Sequence, residues 1–311
     1  MPRFRREAVR VVVPASSANL GPAFDCGGLA LDLCDEYVAM VSDDVGVLIE
    51  VAGEGAGEVP LDASHLVARS MALAFTAMNE QPAGFVLRCT NAIPHGRGMG
   101  SSAAAIIGGL VLARAMVSDG PAVLTDDDLL QLALRMESHP DNIAAALYGG
   151  LNFSWLSESG QAGTVKLDVH PEVVPVLAIP VNAVPTSNAR RALPAQVDFA
   201  DASFNIARAA LLVHALTRDP CHLLEATRDR LHQEARRTMY AASFELVERL
   251  RAESIPAVIS GAGPTVLALP RPHEASRIGA LADPAWRVIE CAVAHHGARE
   301  LPGDPTRLRR G

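Results

Sequence analysis

The chain has 311 residues, which is long for one hydrophobic core and predicts two lobes with a cleft between them. A net charge of -8 and an aromatic content of 4% do not fit a nucleic-acid-binding protein, which carries a clustered basic face. No apolar run approaches the ~20 residues of a membrane helix, and the short N-terminal apolar stretch is cut by Pro14. The five cysteines are scattered and form no Cys-x-x-Cys pair. These features predict a globular cytoplasmic protein that binds neither nucleic acid nor membrane.

The first half of the chain alternates between predicted strands and helices. Residues 9–13 are β-branched and predict a strand that ends at Pro14, followed by a polar turn at 15–22. The remaining predictions in this half are strands at 36–41, 47–51 and 85–89, and helices at 65–78, 103–117 and 127–136.

The second half begins after a Gly/Ser-rich stretch at 157–163, which is the best candidate for a boundary between lobes. Domains are therefore expected at 8–160 and 164–300. The predictions that follow are a strand at 173–180, helices at 204–217 and 242–252, and a strand at 257–259 that leads into a glycine-rich turn at 260–265. The chain is expected to be a two-lobe enzyme of mixed helices and strands.

The most informative stretch is residues 94–105, where a strand, a glycine-rich loop and a helix start follow one another. Glycines allow positive φ and a close approach of the backbone to phosphate, and amides at a helix N-terminus point at an anion. The serines at this helix start have a structural alternative as helix caps. The segment matches neither Gly-x-x-x-x-Gly-Lys-[Ser/Thr] nor Gly-x-Gly-x-x-Gly, so a Walker-type or Rossmann loop is not indicated.

Three motifs in order carry a resemblance to a known family. Pro-x-x-x-Gly-Met-Gly-Ser-Ser-Ala-Ala from Pro94 resembles the ATP loop of the GHMP kinases, the superfamily of galactokinase, homoserine kinase, mevalonate kinase and phosphomevalonate kinase. Pro-Ala-Ser-Ser-Ala-Asn-Leu-Gly-Pro from Pro14 resembles the first motif of this superfamily, and Ser-Gly-Ala-Gly-Pro-Thr from Ser260 resembles the third. The resemblance implies an α+β fold, with an N-terminal lobe like domain 2 of ribosomal protein S5 and a ferredoxin-like C-terminal lobe.

Further segments resemble the homoserine kinases within that superfamily. They are Phe24-Asp25, Glu-x-His-Pro-Asp-Asn at 137–142, Ala-Arg-x-x-Leu-Pro at 189–194 and Asp-Arg-Leu-His-Gln at 229–233. Two positions depart from the family pattern, because Ala23 and Ser138 stand where glycine is usual. Both border the expected substrate pocket, so the identity of the substrate is less firmly indicated than the family.

The resemblance implies a role for each candidate site residue. Phosphoryl transfer needs neutralised phosphate charge and a positioned hydroxyl, and Mg²⁺ prefers hard oxygen ligands. The implied magnesium ligands are Glu137 and Ser102, with Ser101 as an alternative. Asp141 is the implied base. The alternative for homoserine kinases is direct attack of a positioned hydroxyl, which Asn142 would orient. The implied ATP-binding residues are Pro94, His95, Gly96, Arg97, Gly98, Met99, Gly100, Ser101, Ser102, Ala103 and Ala104.

The implied substrate, L-homoserine, presents a carboxylate, an ammonium group and a terminal hydroxyl. Guanidinium groups suit a carboxylate because they donate two parallel hydrogen bonds. The resemblance gives this role to Arg190 and Arg236 and the ammonium contact to Asp25, with Asn19 and His139 completing the pocket.

Two alternatives stay open at this stage. A GHMP kinase acting on a homoserine analogue or another small hydroxy acid would share most of these residues. A catalytically silent ATP-binding regulator would have no need to keep Glu137 and Asp141 together with the phosphate loop. The sequence also leaves open a homodimer.

Overall fold

The computed structural model describes residues 3–182 and 186–302, and the strands in this part of the chain form two sheets. The larger sheet has the order β11-β1-β2-β4-β3, and the β5-β6 hairpin pairs along the first residues of β2. Its neighbours are antiparallel except for β3 and β4, which are parallel. The strands are β1 Val9–Ala18, β2 Gly27–Ser42, β3 Gly46–Gly53, β4 Gly84–Asn91, β5 Leu151–Leu156, β6 Ala162–Leu167 and β11 Arg299–Leu301.

The helices of the first lobe pack around α2, which is rich in small residues. A Cβ added to Gly108 would lie 2.3 Å from the ring of Tyr37, and one added to Gly109 would lie 2.4 Å from the carbonyl oxygen of Val67. These glycines therefore let α2 lie directly against the sheet and against α1. The helices are α1 Leu66–Ala77, α2 Ser101–Met116, α3 Gly120–Val123, α4 Asp126–Ala133 and α5 Pro140–Tyr148.

The second lobe contains a four-stranded antiparallel sheet of order β10-β7-β9-β8. In chain order, helices separate β7 from the β8-β9 pair and β9 from β10, which is the β-α-β-β-α-β pattern of a ferredoxin-like lobe. The predicted lobe type is thus confirmed. Its elements are β7 Val176–Ile179, β8 Ala257–Ile259, β9 Val266–Ala268 and β10 Arg287–Glu290, with α6 Thr186–Arg191, α7 Phe199–Thr217, α8 Leu223–Ala226, α9 Ala241–Ala252 and α10 Ala275–Leu281.

The first strand is longer than the sequence predicted. It continues past Pro14 to Ala18, because a register shift between Pro14 and Ala15 accommodates the missing N–H of proline within the pairing to β2. The predicted turn at 15–22 therefore begins only at Asn19, where Asn19 and Leu20 adopt positive φ angles of 67° and 48°. The first motif thus places strand residues, as well as a turn, at the site.

The Gly/Ser-rich stretch at 157–163 does not separate the two sheets. Residues 157–161 form the turn between β5 and β6, and residues 162–163 begin β6; the two strands pair with each other in the larger sheet. The chain also returns to that sheet near its end, where β11 pairs with β1. The domain limits at 8–160 and 164–300 stay a prediction, but the first sheet extends through Leu167. In the described residues, no helix is both long and apolar enough to span a bilayer.

Candidate active site

The glycine-rich loop connects the end of β4 to the start of α2. Gly96, Gly98 and Gly100 have φ angles of 64°, 71° and 70°, which L side chains rarely adopt, so the predicted use of glycine here is confirmed. The amide of Ala104 makes the first helical hydrogen bond, to the carbonyl of Gly100 at 2.9 Å. The amides that precede it, at 101–103, have no carbonyl partner one turn earlier in the helix, and free amides at the positive end of a helix attract anions.

The third glycine-rich motif packs directly against this loop. The Ser260 hydroxyl donates a hydrogen bond of 2.7 Å to the carbonyl of Gly98. A Cβ on Gly98 would lie 2.2 Å from the carbonyl oxygen of Ser260 and 2.8 Å from the amide nitrogen of Gly263. Backbone meets backbone here, so a side chain at position 98 would push the two motifs apart.

The first motif closes the other side of the loop. The amide of Ser16 donates to the carbonyl of Met99 at 3.1 Å, and a Cβ on Gly100 would lie 2.0 Å from the Ser16 Oγ. Asn19 donates from Nδ2 to the carbonyl of Gly261 at 2.9 Å, which also joins the first motif to the third. The structure therefore brings together three motifs that lie far apart in sequence.

Several predicted loop residues have side chains that point away from a ligand. Met99, Ala103 and Ala104 are buried, and the Arg97 guanidinium donates to the carbonyls of Pro180 and Val181. Arg97 thus ties the loop to the end of β7. In these residues only the backbone, and not the side chain, is available to an anion.

Asp35 supports the loop and was not predicted from the sequence. Its Oδ1 accepts hydrogen bonds from the amides of Ala92 at 2.7 Å and Ile93 at 2.9 Å, just before the glycines. Burial raises the pKa of this carboxyl, and the two amides oppose the shift. A single buried aspartate within an apolar strand gives no spacing signal, so only the fold reveals it.

A cavity of about 320 Å³ opens beside the start of α2. Its lining includes Ser101, Ser102, His95 and His65, together with apolar side chains such as Val59. His65 is buried and its Nδ1 has no hydrogen-bond partner in the described structure, and burial lowers the pKa of this imidazole. A neutral, unpartnered ring nitrogen beside the glycine-rich loop is suited to a polar group of a bound ligand.

Glu137 lies just beyond α4, and its side chain contacts Ser102 at the start of α2. The Ser102 hydroxyl hydrogen-bonds to its carboxylate, and burial raises the pKa of Glu137 above its usual value. The other carboxylate oxygen, Oε2, is buried without a hydrogen-bond partner in the described residues. Burying an unsatisfied carboxylate oxygen is costly, so this atom is poised for a cation.

Asp141 and Asn142 lie in the first turn of α5, close enough to Glu137 for its charge to act on Asp141. Asp141 is fully buried, and this burial raises its pKa to about 7. A hydrogen bond of 2.7 Å from the Asn142 amide to Oδ1 lowers the pKa, while the charges of Asp25 and Glu137 raise it. The Asn142 side chain is held by Ser16, whose hydroxyl donates to Asn142 Oδ1 at 2.8 Å.

The predicted substrate residues gather around the ring of Phe24. Arg190 forms an ion pair of 2.7 Å with Asp25, and its guanidinium carbon lies 5.4 Å from the Phe24 ring centre. The guanidinium of Arg236 lies 5.6 Å from the same ring. His139 is half-buried; burial lowers its pKa, and the Asp25 charge opposes that shift.

Arg236 is 3% exposed, yet the ion pairs of the described residues include no carboxylate for it. Its Nε donates to the carbonyl of Ala189 at 2.9 Å, and a terminal nitrogen donates to His232 Nδ1 at 3.1 Å. His232 then donates from Nε2 to the carbonyl of Gly21 at 2.7 Å.

Asp229 caps the turn before His232 by accepting hydrogen bonds from three backbone amides, those of residues 231, 232 and 233. The family resemblance covers the segment 229–233 but gives its residues no role, and the contact of His232 with Gly21 joins positions that are remote in sequence.

The predicted residues thus form two adjoining groups. The backbone of 94–104 leads into the start of α2, and a group of mostly charged side chains, the charged pocket, lies next to it. The contact between Ser102 and Glu137 joins the two groups. The pocket contains Asn19, Asp25, Glu137, His139, Asp141, Asn142, Arg190 and Arg236.

Comparison with known proteins agrees with this architecture. Residues 65–150 match the family model described as the GHMP kinases N terminal domain, and residues 209–280 match GHMP kinases C terminal. The crystal structure of homoserine kinase from Cytophaga hutchinsonii superposes with a TM-score of 0.85 at 26% identity, covering 95% of this chain and 98% of that one. A putative homoserine kinase from Listeria monocytogenes gives 0.76 at 26% identity, covering 95% and 100%.

Fold and site together define a GHMP kinase, a two-lobe enzyme with a glycine-rich loop before a helix start. Homoserine kinases from Streptomyces avermitilis and Streptomyces coelicolor are each 51% identical over 301 residues, which is 97% of this chain and 98% and 97% of theirs. The chain therefore belongs to the homoserine kinase family of the GHMP kinases, and the predicted α+β two-lobe fold is confirmed.

Proposed function

We propose that this protein phosphorylates the side-chain hydroxyl of L-homoserine, using ATP and Mg²⁺, and releases O-phospho-L-homoserine for threonine biosynthesis. The observation that carries the proposal is the position of Glu137, whose unpartnered, buried Oε2 lies beside Ser102 at the start of α2. A carboxylate and a hydroxyl at the edge of a phosphate-binding loop match what a magnesium nucleotide requires. We also propose a cytoplasmic location, in keeping with cysteines that are all unpaired.

The loop from Pro94 to Ser102 is assigned to the polyphosphate. Positive φ at Gly98 and Gly100 turns the backbone toward the helix start, where free amides and the helix dipole attract anionic oxygens. The adjoining cavity of about 320 Å³ has room for part of a nucleoside, and its unpartnered His65 nitrogen offers a polar contact. Met99 and the two alanines hold the loop in place by packing.

Glu137 and Ser102 fit a magnesium ion by the chemistry of their oxygens. Bound Mg²⁺ neutralises charge that develops on the transferred phosphoryl oxygens. Glu137 would hold the cation through Oε2, and Arg190 adds positive charge nearby, since its Coulomb field lowers the pKa of Glu137. The cation held by Glu137 and the Arg190 guanidinium would both oppose negative charge on the phosphoryl group as it is transferred.

The charged pocket suits the two ends of an amino acid. Arg236 is a buried guanidinium without an acidic partner in the described residues, so it supports binding of the homoserine carboxylate. Arg190 pairs with Asp25 at 2.7 Å and would share that site. Asp25 would then also attract the substrate ammonium, with Asn19 holding its backbone by accepting the Asp25 amide at 2.9 Å.

The hydroxyl of the substrate would meet Asp141 and Asn142. A carboxyl with a pKa of about 7 is half-ionised near neutral pH and can accept the proton as the hydroxyl attacks. Asn142 is held through Oδ1 by Ser16, which leaves its amide nitrogen to orient the hydroxyl or a phosphate oxygen. A loose transition state needs little deprotonation, so positioning contributes as much as the base.

An ADP-release assay with ATP and magnesium tests the proposal. The acceptors to compare are L-homoserine, L-threonine, L-serine and mevalonate, each at several concentrations. Turnover confined to homoserine supports the proposal, and preference for another acceptor would point to a GHMP kinase with a different substrate. ATP binding without turnover on any of them would favour a silent regulator.

A further inference from the structure

We propose that His214, Asp219 and His222 form a binding site for one transition-metal dication of the Zn²⁺ type, separate from the kinase site. His214 lies in the last turn of α7, Asp219 follows that helix, and His222 ends a short 3₁₀ turn before α8. Two imidazoles and one carboxylate are a donor set that zinc and related ions bind.

The three potential ligand atoms are already close together. One atom from each residue lies within 4.8 Å of the other two, and His222 Nε2 is 3.5 Å from Asp219 Oδ2. Tetrahedral zinc, with bonds of about 2.0 to 2.2 Å, places its ligand atoms about 3.3 to 3.5 Å apart. The pair of His222 and Asp219 meets that spacing. His214 reaches it by a small rotation, which its exposed side chain permits.

The backbone holds these residues in a fixed turn. The amides of Arg218 and Asp219 both donate to the carbonyl of His214, at 2.8 and 3.1 Å, and the amide of His222 donates to the carbonyl of Asp219. Asp219 Oδ1 is occupied by the Cys221 amide at 3.2 Å, which leaves Oδ2 facing His222. Little ordering is therefore required when an ion binds.

Cys221 lies at the same turn but is not one of the three clustered ligands. Its thiol hydrogen-bonds to the Asp219 carboxylate, and both residues line a cavity of about 740 Å³. Two imidazole nitrogens and one carboxylate favour Zn²⁺, Co²⁺ or Cu²⁺ over Mg²⁺ or Ca²⁺, and water would complete the coordination of the ion.

The test is Zn²⁺ titration by calorimetry on tag-free, full-length protein at about pH 7.5, where free imidazole is mostly neutral. Excess Mg²⁺ is present to fill oxygen sites such as that of Glu137. We expect one Zn²⁺ per chain, and binding at least about 10-fold weaker in H214Q/H222Q, since loss of a supporting residue alone commonly costs 10- to 100-fold. The matched control H295Q/H296Q removes two exposed imidazoles and should bind as the wild type does.

A second readout separates binding at this turn from binding elsewhere. With Co²⁺ in place of Zn²⁺, the wild type should show visible absorption bands of bound Co²⁺ that H214Q/H222Q lacks and H295Q/H296Q keeps. Zn²⁺ should also raise the Tm of the wild type and of the control, but not of H214Q/H222Q. Equal Zn²⁺ affinity in all three proteins, or no stoichiometric binding by the wild type, would overturn the proposal.

Discussion

Ser16 and Asn142 are 126 positions apart, yet the Ser16 hydroxyl donates a 2.8 Å hydrogen bond to Asn142 Oδ1 between the phosphate loop and the charged pocket. Ser16 is also the residue that a Cβ on Gly100 would strike. One buried hydroxyl therefore sets both the orientation of the Asn142 amide and the space beside the loop.

Replacing Ser16 with alanine should lower kcat with little change in KM for ATP. The substitution removes one hydrogen bond and frees the Asn142 side chain to rotate, which together cost about 1 to 2 kcal/mol. A fall in kcat of about 5- to 30-fold is therefore expected. Ser154→Ala is the control, because it removes a hydrogen bond of 3.0 Å to Thr164 between β5 and β6. An equal loss of kcat in both variants would mean that Ser16 only stabilises the fold and does not position Asn142.

Asp141→Asn should lower kcat by about 100-fold or more and leave ATP binding largely intact, because a neutral amide cannot take a proton. Burial raises the pKa of Asp141 to about 7, so the base form is lost as pH falls. The wild-type kcat/KM for homoserine should therefore rise with pH through about 7 and level off above it. The variant should lack this rise. Near-normal turnover with the same pH profile would contradict the assignment of Asp141 as base.

The parts of this site that the sequence predicted are those with a local signal. The glycines before α2 and the serines at its start lie in one stretch, and the order of strand, glycine-rich loop and helix start predicts an anion site. Arg236 was assigned only through family resemblance, because its neighbours Ala189, His232 and Phe24 come from three separate segments. Residues whose neighbours come from separate segments, such as Arg236, meet those neighbours only when the chain has folded.

The predicted end of the first strand at Pro14 was wrong for a related reason. Proline normally ends a strand, but pairing with β2 absorbs Pro14 through a register shift that no local pattern indicates. Within the site, the environment of Glu137 is likewise not indicated by any local sequence pattern. At the end of a helix a glutamate is usually a solvated surface carboxylate, and only the packing of Ser102 against it reveals a buried, unpartnered oxygen.

Glu137→Gln should raise the Mg²⁺ concentration needed for half-maximal activity by about 10-fold or more and reduce kcat at saturation. The amide keeps the size of the side chain but removes the charge at Oε2. The turn residue Glu158 is exposed, so Glu158→Gln is a control for charge alone. The measurement is ADP release at fixed ATP across a range of Mg²⁺ concentrations. Unchanged Mg²⁺ dependence would remove Glu137 from the metal site.

Arg236→Met should lower kcat/KM for homoserine by about 30-fold or more, since truncating one partner of a buried charge contact costs 2 kcal/mol or more. KM for ATP should change little. The decisive comparison is 3-amino-1-propanol, which is homoserine without its carboxylate. Wild type and variant should use this poor substrate equally, because the missing interaction is absent in both cases. A loss of the same size on both substrates would assign Arg236 to the fold instead.

Gly98→Ala tests whether the contact between the loop and the third motif is needed. The new Cβ would lie 2.2 Å from the Ser260 carbonyl, at a φ of 71° that already disfavours alanine. Gly57→Ala is the matched control, with a φ of 79° but no heavy atom within 4 Å of its Cβ. Urea unfolding should show a loss of about 1 kcal/mol for Gly57→Ala and about 2 to 4 kcal/mol for Gly98→Ala. Only the latter should also raise KM for ATP, because moving Gly98 off Ser260 displaces the amides at the start of α2. Equal effects of the two substitutions would show that backbone strain, and not the packing of the motifs, governs this loop.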